Sequence, residues 1–507
     1  MGSIADIYRN ITLCHDLKMF TLSPKRLKDL IAANLKFGIK PQMRDGKEEN
    51  AETYISYVEV FSDAANKADE VLDQSFSRIY LDHASATPLQ SDVLTAMMPY
   101  LTESFANPSS IHTEGQQAKV VLEEARTNVA RLLSVQSECV TFTSGGTESN
   151  NLAIIGVVKA RHDSGVPYNQ IEIITSTIEH PATINTVEYL ATLGVAVKYA
   201  PVDARGQIIL NELHNLLTPA TFLVSIAYVN SEIGVIQDIG AISRVLAKFT
   251  KQQNSVGVTE TSAIRGVQIK GDEPYSLYGE GDFMQRSGDV CRLRRSDIYL
   301  HVDAAQAPLW LPCELTRLGC DLLSLDAGKF GGPKGVGALI HLKRVPLKNI
   351  SYGGGQERGL RPGTESLASI VGFATALQLA QSSWVKNTEM VKVLQEYFYE
   401  QLKEKIPTAI INGVLGEYRV ANNINISIPG IDSEFAVVSL DVAGIAISTK
   451  SACSSTSGEG STVVLAITND PTRANTTLRF SLGLSTNRAE IEKTITTLAL
   501  FVQKNSN

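Results

Sequence analysis

Long apolar runs are missing: no stretch of the 507-residue chain approaches the roughly eighteen consecutive apolar residues of a membrane-spanning helix. An excess of positive charge is missing too. Lys and Arg number 46 against 53 Asp and Glu, a formal net charge of −7. That argues against DNA or RNA as the default partner, because a phosphate backbone needs a basic face. Cysteine is sparse: Cys14, Cys139, Cys291, Cys313, Cys320 and Cys453 are irregularly spaced, with no CxxC pair. This excludes a disulfide framework and offers no zinc site, so no metal is expected. The opening residues MGSIADIYRNITLCHDLKMF lack the apolar centre of a secretory signal and carry acids that transit peptides avoid, so a cytoplasmic location is expected. What is present is apolar material, 43 % of the residues against 20 % charged, enough for a sizeable core. The length implies more than one domain.

Residues 1–77 read as a helical extension whose first part is basic and whose second is acidic. From Arg78 the pattern becomes alternating strand and helix. RIYLDHA, ECVTFTS, IEIITS, TFLVSIAYV, IYLHVDA and CDLLSLDA are strand candidates, and EGQQAKVVLEEARTNVARLLS and GGTESNNLAIIGVVKA are helical. The alternation predicts an α/β fold, a mostly parallel sheet covered by helices, with ligands at the carboxyl ends of the strands. Residues 252–296 interrupt it as a Gly-rich, polar insertion on the amino side of IYLHVDA, opposite the expected ligand edge, so it is not expected to be an active-site lid. After about Val345 a long helix over 366–404 and a smaller α+β segment close the chain.

Polar stations follow successive strands. TFTSGGTESNNLA runs from strand through Gly145, Gly146 and Thr147 into a helix, a backbone cup suited to a phosphate or simply a helix cap. It is neither GxGxxG nor a P-loop, so a nucleotide is not favoured. STIEHPATINT places His180 after a strand, for ring stacking, proton transfer or a structural role. AYVNSEIGVIQDI places Asn230 there, a candidate donor to a ring hydroxyl or a substrate. In IYLHVDAAQA, Asp303 is either a helix N-cap or the carboxylate that keeps a pyridinium nitrogen protonated, with Gln306 three residues on. In SLDAGKFGGPKGVGALI, Lys329 is a solvated loop lysine or one that bonds covalently to a carbonyl cofactor such as pyridoxal phosphate (PLP). Five stations at one sheet edge are a stronger signal than any one alone. STKSACSSTSGEGS, 448–461, sets Cys453 on a Ser- and Gly-rich loop. Free cysteines are usually buried, the expectation for Cys139, Cys313 and Cys320; Cys453 is instead the candidate nucleophile.

With these motifs in order, together with YLDHASATP, NPSSIH, GGGQERGLRPGT and RFSLG, the chain resembles the cysteine desulfurases of the class V aminotransferase family, from about residue 80 to 483. The resemblance implies a PLP-dependent fold type I: a large domain over 95–345 with a mostly parallel seven-stranded sheet, and a small α+β domain over 346–507 joined by 78–94. It implies PLP held by Lys329, Asp303, Gln306, Asn230, His180, Gly146 and Thr147, with Thr364 reaching the phosphate from the other subunit of a homodimer. Arg479 would grip the substrate carboxylate, a task suited to a guanidinium fork, with Asn230 also near the substrate. The implied activity is conversion of L-cysteine to L-alanine. His180 would move protons, and the sulfur would pass to Cys453 as a persulfide for an acceptor protein of iron–sulfur cluster assembly or tRNA thiolation. A thiolate is needed, and Lys450 is the nearby cation.

Two departures stand out. The family has Ser-Gly-His before the lysine; this chain has Asp326, Ala327 and Gly328. An acid beside a phosphate is unfavourable, so Asp326 is expected to turn away, be protonated or meet a cation. The family often has a longer tail that docks the cluster scaffold; here the extension and the insertion are candidates for that task. A selenocysteine lyase or other β-lyase of the same fold is an alternative activity. A non-catalytic assembly or regulatory protein is an alternative of another class.

Overall fold

The structure, a computed structural model, describes residues 78–256, 298–449 and 460–505. The expected extension over 1–77, nearly all of the expected insertion over 252–296, Lys450 and Cys453 lie outside the described residues. In chain order the strands are β1 (Ile79–Tyr80), β2 (Val140–Thr143), β3 (Glu172–Ser176), β4 (Ala196–Ala200), β5 (Thr221–Ala227), β6 (Tyr299–Asp303), β7 (Leu322–Asp326), β8 (Gly337–His341), β9 (Ile410–Ile411), β10 (Asn423–Ser427), β11 (Ile445–Ala446) and β12 (Thr477–Ser481).

Seven of them form the principal sheet, in the order β2-β8-β7-β6-β5-β3-β4. Only β8 is antiparallel to its neighbours; every other adjacent pair is parallel. Helices on both faces explain why β2, β3, β7 and β8 are buried along nearly their whole length and read as continuous apolar or β-branched runs. The edge strand β4 goes beyond the expected strands. Lys198 and Tyr199 interrupt its apolar residues because one side of an edge strand faces water.

Local chemistry sets the helix ends. In Thr113–Leu132 the His112 ring accepts from the Gly115 N–H as N-cap, and Ala118, Leu122, Ala125 and Val129 recur along one face and are buried. The helix Ile239–Val256 runs past the expected insertion boundary at 252, so residues 252–256 are helical. The 39-residue helix Leu367–Lys405 packs against Ser91–Thr102, Thr113–Leu132 and the closing helix Arg488–Asn505, tying the principal sheet to the C-terminal part. There β12-β10-β9 form an antiparallel sheet, and β1 pairs in parallel with β11. Through β1 the residues just after it, Asp82 to Thr87, are brought against β12 and the carboxyl end of β7. Cys139, Cys313 and Cys320 are buried, as expected for thiols used as small apolar groups. Among the described residues no helix is long and apolar enough to cross a membrane, and no cluster of His, Cys, Asp or Glu could hold a metal ion.

Candidate active site

One cleft is lined by Gly146, Thr147, His180, Asn230, Asp303, Gln306, Lys329 and Arg479, with Ala84, Ser85, Asn150, Ser231 and Asp326 among its other walls. Five of the strands that lead into it, β2, β3, β5, β6 and β7, are parallel to one another, so their following loops share one edge. Thr364 is exposed and is not among the lining residues.

The turn after β2 is tight. Gly145 lies at φ +151°, a conformation that favours glycine, and a Cβ on Gly337 of β8 would sit 2.7 Å from the Gly145 Cα. This close approach delivers the N-terminus of helix Gly146–Asp163 to the cleft. Its backbone donor is engaged: the Gly146 N–H donates to Asp326 Oδ2 at 3.2 Å, while Asp326 Oδ1 accepts from the Gly328 N–H at 2.9 Å. Of the three expected dispositions, turning away is therefore excluded; Asp326 points into the cup.

Asp303 ends β6 almost fully buried. Its Oδ1 accepts from the Ala305 N–H at 3.0 Å and its Oδ2 from Asn150 Nδ2 at 2.6 Å. No helix starts at Asp303, so it is not a helix N-cap; its side chain closes the turn that follows β6 and lies in the wall of the cleft. Lys329 Nζ donates to the carbonyls of Ser85 (2.5 Å) and Ala84 (3.1 Å), and Gln306 Nε2 donates to the Ala84 carbonyl at 2.9 Å. Asn230 is more structural than expected. Its Nδ2 donates to the Ile178 carbonyl at 2.7 Å, and its Oδ1 accepts from the N–H groups of Glu232 and Ile233, both at 2.9 Å. That folds the turn after β5 and leaves one amide hydrogen for a ligand.

His180 is the N-cap of Pro181–Thr192. Its Nδ1 accepts from the Ala182 N–H at 3.1 Å, so the neutral ring carries its proton on Nε2. Burial holds its pKa below the usual histidine value, against the opposing pull of Asp303. The neighbouring Glu179 is driven the other way. Burial, with the Asp303 charge adding to it, pushes its carboxyl up to about 8. Glu179 also accepts from Ser176 Oγ and from the Ala227 N–H, tying the ends of β3 and β5 together.

Arg479 is buried. Nη2 donates to Asp82 Oδ1 (2.8 Å) and Ser85 Oγ (2.7 Å), and Nη1 to the Ser231 carbonyl (3.0 Å). Its backbone pairs with Ser448, and Ser461 Oγ donates to Glu232 at 2.6 Å. The described residues on either side of 450–459 are thus both fastened beside the cleft. Two buried atoms of the cleft lack a partner among the described residues, Asn150 Oδ1 and Arg479 Nε. Asn150, Asp82, Ser85 and Glu179 are functional neighbours that sequence reasoning did not single out. The signal available was that they lie within or beside the motifs already noted, in ESNN, YLDHAS and EH.

This donor set fits PLP at the ring end: an amine, a buried carboxylate, a neutral imidazole and amide groups converge, with unsatisfied polar atoms in the wall. At the phosphate end the helix N-terminus fits, but it already holds Asp326.

The family model for aminotransferase class-V matches residues 79–259 and 280–494. A cysteine desulfurase IscS of Dictyoglomus turgidum is 36 % identical over 426 residues, covering 84 % of this chain and 95 % of that one. A solved NifS-like protein superposes with a TM-score of 0.70 at 30 % identity, over 84 % of this chain and 100 % of the other. SspA, solved in complex with cysteine, superposes with a TM-score of 0.60 at 29 % identity, over 80 % and 98 % of the two chains.

Proposed function

Since the chain belongs to the class-V aminotransferase family, among its cysteine desulfurases, we propose that it converts L-cysteine to L-alanine and passes the sulfur to Cys453. The observation that carries this reading is the convergence of Lys329, Asp303, His180 and Arg479 on one cleft. The SspA relative solved with cysteine supports the choice of substrate.

PLP, when bound, supplies an electron sink that labilises bonds at the substrate α-carbon and lets the β-carbon release its sulfur. Lys329 Nζ is the group that would anchor it, and Asp303 the carboxylate that would hold the ring nitrogen protonated. Asn150, by its 2.6 Å hydrogen bond, orients the Asp303 carboxylate. Arg479, held by Asp82, Ser85 and Ser231, binds the substrate carboxylate through its remaining donors. His180, neutral by burial, offers its Nε2 proton to the cleft and can exchange it as the substrate changes charge. The Cys453 thiolate takes the substrate sulfur and forms the persulfide, which then meets an acceptor protein of iron–sulfur cluster assembly or tRNA thiolation. The enzyme works as a homodimer in the cytoplasm, with Thr364 serving the partner's cleft. Residues 78–94 belong with a small domain over 346–507, beside a large domain over 95–345.

The test is sulfide and alanine release from L-cysteine by protein supplied with PLP and excess thiol reductant, with Lys329→Ala alongside. Equal amounts of both products from wild type and none from the variant are expected. Folded, PLP-bound wild type that releases neither product overturns the activity, and turnover of selenocysteine alone would move it to the lyase class.

A further inference from the structure

Among the described residues, the cup at the N-terminus of helix Gly146–Asp163 is the part of the cleft where the chain's own chemistry opposes the cofactor. Helix N-termini draw anions because their first N–H groups lack partners and the peptide dipoles add. Here an anion is already supplied from within. Asp326, the last residue of β7, reaches across to the Gly146 N–H with Oδ2 and returns to the Gly328 N–H with Oδ1. The approach is close: a Cβ on Gly146 would lie 3.3 Å from the Asp326 Cβ. A second carboxylate, Glu148 in the first helical turn, accepts from the Ser144 N–H and pairs with Arg361 at 3.3 Å, so two acids, one of them paired, meet backbone N–H groups at this helix start. At 328 the chain has glycine, which offers no side-chain donor. Asp326 lines the same cleft as Thr147 and Lys329, so it faces the space a ligand would enter.

We propose that Asp326 is the residue by which this cleft discriminates between phosphorylated and unphosphorylated forms of its aldehyde cofactor. The carboxylate uses the backbone donor that a phosphate would use and repels the phosphate dianion, so PLP gains little from its phosphate here. The aldehyde, ring nitrogen and ring hydroxyl contact other residues and are unaffected. This rests on the PLP reading of the cleft. It makes the cofactor readily exchangeable, and it makes pyridoxal, which has no phosphate, nearly as good a ligand as PLP.

The experiment is a binding titration, not an activity assay. Full-length protein, stripped of any cofactor by dialysis against a carbonyl scavenger, is titrated separately with PLP and with pyridoxal, following the visible absorbance of the lysine-bound aldehyde. Wild type is compared with Asp326→Ser, which removes the acid and leaves a hydroxyl donor. It is also compared with Asp326→Asn, which keeps the size and the oxygen that accepts from Gly328. In wild type the two dissociation constants are expected to lie close together. In both variants PLP should bind about tenfold tighter or more, as removal of a nearby like charge requires, while pyridoxal changes less than about threefold. PLP and pyridoxal shifting together, or neither shifting, would overturn the role of Asp326 while leaving the cofactor assignment standing. If neither aldehyde binds to wild type or to either variant, the PLP reading falls and this inference with it. Asp326→Asn keeps the test intact if the Ser variant fails to fold.

Discussion

Asp82 and Arg479, 397 positions apart in the chain, form a 2.8 Å ion pair at the floor of the cleft. With Ser85 and Ser231 it fixes the guanidinium before any substrate arrives. Arg479→Lys is expected to raise KM for L-cysteine about 10- to 100-fold with a smaller change in kcat, since a point charge replaces a planar fork and about 1.5–3 kcal/mol of charged hydrogen bonding is lost. Steady-state kinetics checks this. A fall in kcat with KM unchanged would remove Arg479 from substrate binding.

Cys453→Ala separates cofactor chemistry from sulfur transfer. The variant should keep the visible absorbance of wild type with PLP and lose the enzyme-bound persulfide, read by thiol-labelling mass spectrometry. Persulfide or sulfide formed at the wild-type rate would mean that another group accepts the sulfur.

The segment that leads to Thr364 rests on a buried pair. Arg126 Nη1 and Nη2 donate to the two oxygens of Glu357 at 2.8 and 2.7 Å, and Glu357 also accepts from the Phe142 N–H at 2.8 Å. Glu357 and Arg358 both lie at positive φ, 48° and 58°, which non-glycine residues adopt only where their surroundings over-determine them. Glu357→Gln leaves the buried Arg126 with only the half-exposed Glu123 carboxylate, 3.2 Å from its Nε, as counter-charge, and should destabilise the fold by about 1.5–3 kcal/mol. Urea denaturation would show it as a lower midpoint; an unchanged midpoint would mean that water or relaxation compensates.

Acid should weaken the fold through His301. The ring is fully buried between Ser225 Oγ (2.8 Å) and Ser324 Oγ (2.9 Å), and burial, against the opposing pull of Asp303, holds its pKa down at about 4. A depressed folded-state value means that the stability is present above the unfolded value of 6.5 and is lost as pH falls toward 4. Glu179, raised to about 8, works with the opposite sign: its contribution is present below 4.5 and is lost as pH rises toward 8. Comparing His301→Gln with wild type isolates the first effect. Wild type should lose up to about 1.4 kcal/mol more per pH unit across that window. Parallel stability–pH curves would show that His301 is not the acid-sensitive group.

Much of the site was legible because its parts are local. A β-branched run ending in Gly-Gly-Thr, or in Asp-Ala-Ala-Gln, announces a strand and the loop that follows it, and parallel strands put those loops on one edge. Lys329, Asp303, His180 and Gly146 could therefore be placed at one edge from their neighbours in sequence alone. Asn230 was located correctly, but its task was only partly legible. Nothing in AYVNSEIG shows that its amide spends most of its capacity on Ile178, Glu232 and Ile233. The edge strand β4 was missed because Lys198 and Tyr199 break the apolar run on its solvent side.

The sequence by itself determined the alternation of strand and helix, the order of polar groups along the sheet edge, and the presence of an acid at 326 where the resembled family has serine. Each of these is a property of a few adjacent residues. Tertiary structure alone decided that Asn150 holds Asp303, that Asp82 holds Arg479, and that the Asp326 carboxylate faces the Gly146 N–H from 180 positions away. Such pairs depend on which strands become neighbours and on how far each side chain can reach. That is settled by burial of the whole sheet and its helices, and no local pattern encodes it.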